Sequence, residues 1–283
     1  MTQAMLSKPE VSRLLAGNGI RPSRALGQNF VGDPNTVRRV ARLAEVGPGD
    51  RVVEIGAGLG SLTLALLATG ASVTTIERDR SLVMVVRDVL SERAPGADVK
   101  VVEADAMSLD WGALLVPPRG WALVANLPYN VATPLVADLL DNVPAIDRML
   151  VMVQEEVAHR MVAGPGEPAY GAVSVKVAYW AEAALVGTVP SSVFVPRPRV
   201  GSALVRMRRR PVPAVDPSAV PAETMFALVR AGFARRRKML RGALAGVVPA
   251  EAFATAGIDP TTRAEQLGVA DWGRLAAAVM SLQ

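Results

Sequence analysis

Cysteine is absent from the 283-residue sequence, and histidine occurs once, at His159. Without a thiol there can be no disulfide, thiolate zinc site or cysteine nucleophile, and one histidine excludes a multi-histidine metal centre. No metal is therefore expected. No apolar run approaches the ~18 residues that a membrane span requires, and residues 1–21 lack the charged, then apolar, then small pattern of a secretion signal. The expectation is a soluble cytoplasmic protein with no membrane partner. Charged residues are also sparse, at 20%, against 51% hydrophobic. Such a composition buries a substantial core and argues against disorder. The length suits one large domain, or a large and a small one.

The net charge of +5 is unevenly spread. Twelve basic residues fall between Arg197 and Arg241, against only Asp216 and Glu223, so this segment carries +10 and the rest of the chain −5. A concentrated basic region on a mildly acidic body suits a polyanion, because each phosphate that it neutralises releases counterions. Its bland counterpart is a solvated charged face.

Four prolines lie within residues 210–221, which can continue neither a helix nor a central strand. The boundary is placed there, giving a domain at 1–209, a linker at 210–221 and a second domain at 222–283. Before the linker, apolar runs at 51–54, 72–77, 99–103, 121–125 and 148–154 read as strands. Segments 61–68 and 82–90 between them read as helices, as does 155–162, which carries His159. That alternation predicts an α/β fold with a mostly parallel sheet covered by helices on both faces. Two further strand-like runs, 172–186 and 202–207, predict an antiparallel pair at one edge. After the linker the pattern is helical, at 223–232, 234–245, 250–256 and 271–282, with Thr262 and Glu265 spaced as a capping box.

The strongest local signal is Val53-Glu-Ile-Gly-Ala-Gly-Leu-Gly60, after the first strand of this series and before a helix. Gly56, Gly58 and Gly60 allow a tight turn and close approach of a ligand to the helix start. With serine at position 61, the dinucleotide spacing Gly-x-Gly-x-x-Gly is not met. Preceded by Glu54, the pattern is instead that expected around the methionine and ribose of S-adenosylmethionine. Glu77 ends the next strand, about 20 positions on, where a carboxylate can accept from ribose hydroxyls. Asp105, just after the following strand, could accept from an adenine amine.

Asn126-Leu127-Pro128-Tyr129 closes the fourth strand. The exocyclic amine of adenine is a poor nucleophile because its lone pair is delocalised into the ring. Two acceptors, the Asn126 side-chain oxygen and a carbonyl near Leu127, could bind both amine hydrogens and bias the nitrogen toward a reactive pyramidal form. Pro128 fixes the direction of that carbonyl, and Tyr129 offers a stacking face for a base withdrawn from its helix. No general base is required, since a sulfonium donor is already activated and catalysis consists of positioning and desolvation. His159 is not expected to be catalytic.

These residues resemble the ribosomal RNA adenine N6-dimethyltransferase family along nearly the whole chain. The resemblance is carried by Leu26-Gly-Gln-Asn-Phe-Val31, the glycine loop, Ile76-Glu-Arg-Asp79, Glu103-Ala-Asp105, Asn126-Leu-Pro-Tyr-Asn-Val-Ala-Thr-Pro134 and Met152-Val-Gln-Glu-Glu-Val-Ala-His-Arg160. It continues in Val193-Phe-Val-Pro-Arg-Pro-Arg-Val200, Phe233-Ala-Arg-Arg-Arg-Lys-Met-Leu-Arg241 and Arg263-Ala-Glu-Gln-Leu267. The last two favour the bacterial small-subunit branch.

The resemblance implies a Rossmann-like class I S-adenosylmethionine-dependent methyltransferase fold, with a seven-stranded sheet and a small all-α C-terminal domain. It implies S-adenosyl-L-methionine held by Asn29, Val31, Glu54, Gly56, Gly58, Gly60, Glu77, Asp105 and Asn126. The target adenine would lie between Tyr129 and Phe194, held by Asn126, Leu127 and Pro128. Its substrate would be two adjacent adenosines in the 3′-terminal hairpin loop of 16S rRNA, in the immature 30S subunit, each converted to N6,N6-dimethyladenosine. Arg197, Arg199, Arg235, Arg236, Arg237, Lys238 and Arg241 would contact RNA. A monomer is the default expectation. Three residues depart from the usual pattern: Val31 for leucine, Ala57 for proline and His159 for an acid. Alternatives are a large-subunit rRNA methyltransferase of the antibiotic-resistance type, an enzyme acting on DNA adenine or a protein amide, and an RNA-binding assembly factor for which methylation is secondary.

Overall fold

The computed structural model describes residues 5–23, 27–116, 119–128 and 130–282. Tyr129, and Leu26 at the head of the first shared segment, lie outside the described residues. In chain order the elements are α1 (Lys8–Gly17), β1 (Phe30–Val31), α2 (Pro34–Leu43), β2 (Arg51–Ile55), α3 (Ser61–Leu67), β3 (Ser72–Glu77) and α4 (Arg80–Arg93). Then come β4 (Val99–Glu103), α5 (Trp111–Leu114), β5 (Trp121–Asn126), α6 (Ala132–Asn142), β6 (Ile146–Gln154), α7 (Glu155–Val162) and α8 (Ala172–Trp180). The remainder are β7 (Ala181–Val189), β8 (Phe194–Val195), β9 (Ser202–Arg209), α9 (Ala222–Ala234), α10 (Leu240–Ala243), α11 (Ala250–Ala256) and α12 (Val269–Ser281).

Seven strands form one sheet in the order β4-β3-β2-β5-β6-β9-β7. The β4-β3-β2-β5-β6 portion is parallel, and β9 runs antiparallel to β6, with Met152 opposite Leu204. Sequence order reverses between β2 and β5, because β3 and β4 extend to one side and β5 and β6 to the other. A crevice opens at the carboxyl ends of strands at such a switch point. Aspartates start the flanking helices: Asp33 accepts from the Thr36 amide at 2.8 Å, and Asp79 from the Ser81 amide at 3.0 Å.

The expected strands at 72–77 and 99–103 and the helix at 155–162 are found at those limits. The reading of 172–186 as strand is corrected. Residues Ala172–Trp180 are helical, and the strand begins only at Ala181. Val173, Val175 and Val177 are β-branched, and their intrinsic preference yields to burial of Val175 and Tyr179, four positions apart on one helix face, in the second unit's core, with Val177 buried as well. The expected helix at 234–245 shrinks to Leu240–Ala243, since α9 already ends at Ala234.

The chain divides into two compact units, 1–158 with 184–208, and 159–183 with 209–283. The first holds the sheet, with a core that includes Leu6, Val52, Leu64, Val86 and Leu204. The second has its own core, in which Tyr170, Val175, Tyr179, Phe226, Leu240 and Trp272 take part. It therefore draws in residues 159–183, which the proline-based division left in the first domain. It also includes the segment read as a linker. The Arg210 and Ala214 amides donate to the Trp180 and Tyr179 carbonyls at 2.8 and 2.9 Å, and Val220 is buried.

Candidate active site

The glycine loop is a short turn between β2 and α3, closed by the Gly60 amide donating to the Ala57 carbonyl at 2.8 Å. Gly56, Gly58 and Gly60 all have positive φ, at 82°, 55° and 88°. At Gly58 the requirement is doubled, because a Cβ there would lie 2.9 Å from the Phe30 ring. Phe30 thus packs directly on the loop, and the 27–31 segment joins the loop in one wall. β1 is fixed in place by antiparallel pairing with β8, Val31 opposite Phe194.

Around that wall a cavity is lined by Asn29, Val31, Glu54, Gly56, Gly58, Glu77, Asp105, Asn126, Leu127 and Pro128, among others. The sequence-derived residues from the N-terminal segment, the loop and three further strand ends therefore meet at one place. Gly60 and Phe194 do not line it. Gly60 instead forms the left-handed cap of α3, and Phe194 is buried in the first unit's core. His159 is exposed and also off the cavity wall.

Each polar group on the wall has a defined state. Glu77 is 7% exposed; its Oε2 accepts from the Gly58 amide at 2.9 Å, and Oε1 from the Arg78 and Asp79 amides at 2.9 and 3.0 Å. Burial pushes its carboxyl above the ordinary range, against the pull of those three amides. Asp105 accepts from the Met107 amide at 3.0 Å and pairs with Arg78 at 3.4 Å. The Asn126 side-chain amide donates to the Asn29 carbonyl at 3.1 Å, which leaves its Oδ1 as an acceptor. The Pro128 carbonyl accepts from the Val131 and Ala132 amides at 3.2 and 3.1 Å, starting α6.

Deepest on the wall is Glu54, 1% exposed. Its Oε2 accepts from the Thr63 and Thr75 hydroxyls at 2.6 and 2.7 Å, while Oε1 is buried without a partner. Burial pushes the carboxyl up to about 7. The Ser61 hydroxyl, also on the wall, is likewise buried and unpartnered. Orphaned polar atoms of this kind carry an unmet desolvation cost. They fit a ligand that brings a hydrogen-bond-donating cation, such as the ammonium of the zwitterionic amino-acid end of S-adenosylmethionine. No group of three or more histidine, cysteine, aspartate or glutamate residues arranged to hold a metal occurs among the described residues.

Sequence reading missed Phe30, Arg78, Met107, Thr63 and Thr75. For the threonines a signal was present: Thr63 is a polar residue in the otherwise apolar Leu62–Leu67 run, nine positions beyond an acid that must be buried.

The basic segment is partly internal. Arg206 and Arg208 both pair with Glu45, at 2.9 and 2.6 Å, and Arg210 pairs with Glu182 at 3.2 Å. Arg236 donates to Glu265 at 2.7 Å and to the Pro168 carbonyl at 2.8 Å. Glu265 is thereby taken from the expected capping box. Gln266 caps instead, accepting from the Arg263 amide at 2.8 Å. Arg197, Arg199, Arg235, Arg237, Lys238 and Arg241 are exposed.

Comparison with known proteins decides the family. The ribosomal RNA adenine dimethylase model matches residues 20–280. The chain belongs to that family. The chain is 48% identical over 279 residues to the ribosomal RNA small subunit methyltransferase A of Thermobifida fusca, covering 96% of this chain and 95% of that one. It is 47% identical over 280 residues to the protein of the same name from Streptomyces coelicolor, covering 96% of each. Among solved structures, a dimethyladenosine transferase from Plasmodium falciparum superposes with a TM-score of 0.72 at 24% identity, covering 86% of this chain and 94% of that one. The 23S rRNA methyltransferase ErmE gives 0.68 at 27% identity, covering 89% and 99%. The fold is the Rossmann-like one of class I methyltransferases, and the chain is an rRNA adenine methyltransferase of this family.

Proposed function

We propose that the cavity binds S-adenosyl-L-methionine, and that the chain dimethylates the N6 amines of two adjacent adenosines in the 3′-terminal hairpin loop of 16S rRNA. The substrate on this reading is the immature 30S subunit in the cytoplasm. No helix among the described residues is long and apolar enough to cross a membrane. The observation that carries the reading is Asn126: with its amide committed to Asn29, its oxygen is left as an acceptor on the wall shared by the glycine loop, Glu77 and Asp105.

The donor, when bound, supplies a methyl group on an electrophilic sulfonium. Glu77, held by three backbone amides, is positioned to accept from ribose hydroxyls. Asp105 is the acceptor for the donor's adenine amine, and Asn29, Val31, Gly56 and Gly58 enclose the chain between. The target amine donates its two hydrogens to Asn126 Oδ1 and the Leu127 carbonyl; the Pro128 carbonyl is already taken by α6. That pairing turns the nitrogen lone pair toward the methyl group and excludes water, the two contributions that this reaction needs. After transfer the ammonium loses its proton to solvent. Tyr129 supplies the stacking face, while Phe194, buried opposite Val31, supports the wall from behind. The exposed cations Arg197, Arg199, Arg235, Arg237, Lys238 and Arg241 track the RNA backbone.

The test is methyl transfer from labelled donor to small subunits isolated from cells lacking this protein, followed by nuclease mapping. Dimethyladenosine at two adjacent positions of the terminal hairpin is the expected result. Label on large subunits instead would move the chain to the branch that ErmE represents. Donor binding without transfer to either would favour an assembly factor.

A further inference from the structure

Two buried hydroxyls behind the cavity wall, neither of them lining it, serve no evident purpose in the reaction itself. Thr63, on α3, and Thr75, on β3, are fully buried, and both are aimed at the same oxygen of Glu54. Either could have met its hydrogen-bonding need locally, as helical and strand threonines ordinarily do. Sharing Oε2 instead fixes the plane of the carboxyl and leaves all its remaining capacity on Oε1, which has no partner.

We propose that Thr63 and Thr75 are positioning residues which hold Glu54 so that Oε1 faces the ammonium of the donor's amino-acid end, and that donor binding expels a proton from Glu54. This rests on the reading of the cavity as a donor site. With both hydroxyls donating to Oε2, the proton of the neutral acid sits on Oε1. That is the place the ammonium must take, so the two cannot coexist. Binding of the ammonium releases the Oε1 proton to solvent and leaves an ion pair of carboxylate and ammonium inside the cavity.

The groups that face the carboxyl are consistent with this exchange. Thr63 approaches from α3, and Thr75 and Glu77 from β3, the last as the one charge that acts on it, while the Ser61 hydroxyl lines the same cavity. No cation among them competes for Oε1. In the ligand-free protein burial keeps the carboxyl proton on until about pH 7. The exchange therefore occurs within the ordinary working range of a methyltransferase.

Calorimetry on the full chain tests this with two ligands. S-Adenosylhomocysteine keeps the ammonium; 5′-methylthioadenosine keeps the nucleoside and thioether but has no amino-acid end. With one proton lost from a group titrating near pH 7, affinity for S-adenosylhomocysteine is expected to rise about 30-fold between pH 5.5 and pH 8. Affinity for methylthioadenosine should stay flat. At pH 6 the heat of S-adenosylhomocysteine binding should also vary with the ionisation enthalpy of the buffer.

Thr63→Val and Thr75→Val should move the rise to higher pH and weaken binding at pH 7, with serine at either position restoring the profile. Equal pH dependence for the two ligands would overturn the proposal, and needs no variant. So would folded valine variants with an unchanged profile. If neither ligand binds at any pH, the donor-site reading falls and takes this inference with it, whereas methylthioadenosine binding alone would spare the former and sink the latter.

Discussion

Asn126 and Asn29, 97 positions apart, are joined by a 3.1 Å hydrogen bond from the side-chain amide of the first to the main-chain carbonyl of the second. The bond couples the segment before β1 to the end of β5. Its effect is to choose which end of the Asn126 amide faces the cavity.

Asn126→Ala and Asn126→Asp should therefore fail differently. Alanine removes the acceptor and should lower methyl transfer about 100- to 1000-fold, the range for loss of one positioned polar group, with donor affinity within a few-fold of the parent. Aspartate keeps an acceptor but sets a carboxylate against the Asn29 carbonyl, and should weaken donor binding as well. Single-turnover rates and donor Kd, measured together, separate the two.

Gly58→Ala places a methyl group 2.9 Å from the Phe30 ring at a residue with φ of 55°. A cost of about 1–3 kcal/mol in urea unfolding is expected, from left-handed strain and overpacking together. Adding Phe30→Ala should recover the packing part and leave the strain. Additive effects in that double-mutant cycle would contradict the contact.

The ligand-free protein should lose stability as pH rises from 5 to 8. The folded-state pKa of Glu54 is about 7, above the ordinary 4.5, so the folded form holds the proton more tightly. Its stabilising contribution is fully present below 4.5 and is lost as pH rises through 7. Glu77, also raised, acts in the same direction. Glu10, lowered to about 2 by Ser7 and Arg93, has the opposite sign, but its contribution is lost only on acidification below about 4.5. Melting temperatures should fall by several degrees across pH 5 to 8, and Glu54→Gln should flatten the curve. A rise with pH would refute the assignment.

Arg236 and its neighbours should part company. Arg236→Ala breaks two bonds, to Glu265 and to the Pro168 carbonyl, and should cost about 1–2 kcal/mol. Arg237→Ala and Lys238→Ala, both exposed, should leave stability within about 0.5 kcal/mol. Each should instead reduce the slope of log affinity for rRNA against log salt by about 1. Thermal melts and a salt titration of RNA binding distinguish the classes.

Most of the first unit was legible because its strands end in residues that chemistry needs. Glu77 and Asn126 close β-branched or apolar runs whose length alone marks them as strands, Asp105 follows β4 by two residues, and the loop glycines announce a conformation no other residue takes cheaply. What failed was context. Val173 to Val177 look like strand until Tyr179 and Phe226, 5.2 Å apart between ring centres, show that a helix must bury them. Phe194 reads as a stacking residue, and the structure has it in the first unit's core, paired opposite Val31 and off the cavity lining. Arg236 looks like any other cation in its run, and only the fold brings it to Glu265. A run of like charges gives no sign of which member turns inward.

The interleaving of the two units has its own consequence. The backbone passes from one to the other three times, after Ala158, Ala183 and Arg208. A protease nick at any single crossing would split the chain into two fragments that still share at least one unit, held together there by packing alone. A truncation that stops at residue 208 would keep α8 while deleting Phe226 and Trp272, with which it shares a core, and would strip cover from Tyr170, Val175 and Tyr179. The helical part is thus not an appendage that can be cut away to leave a minimal enzyme. A chain shortened there should be prone to aggregate rather than fold with altered specificity.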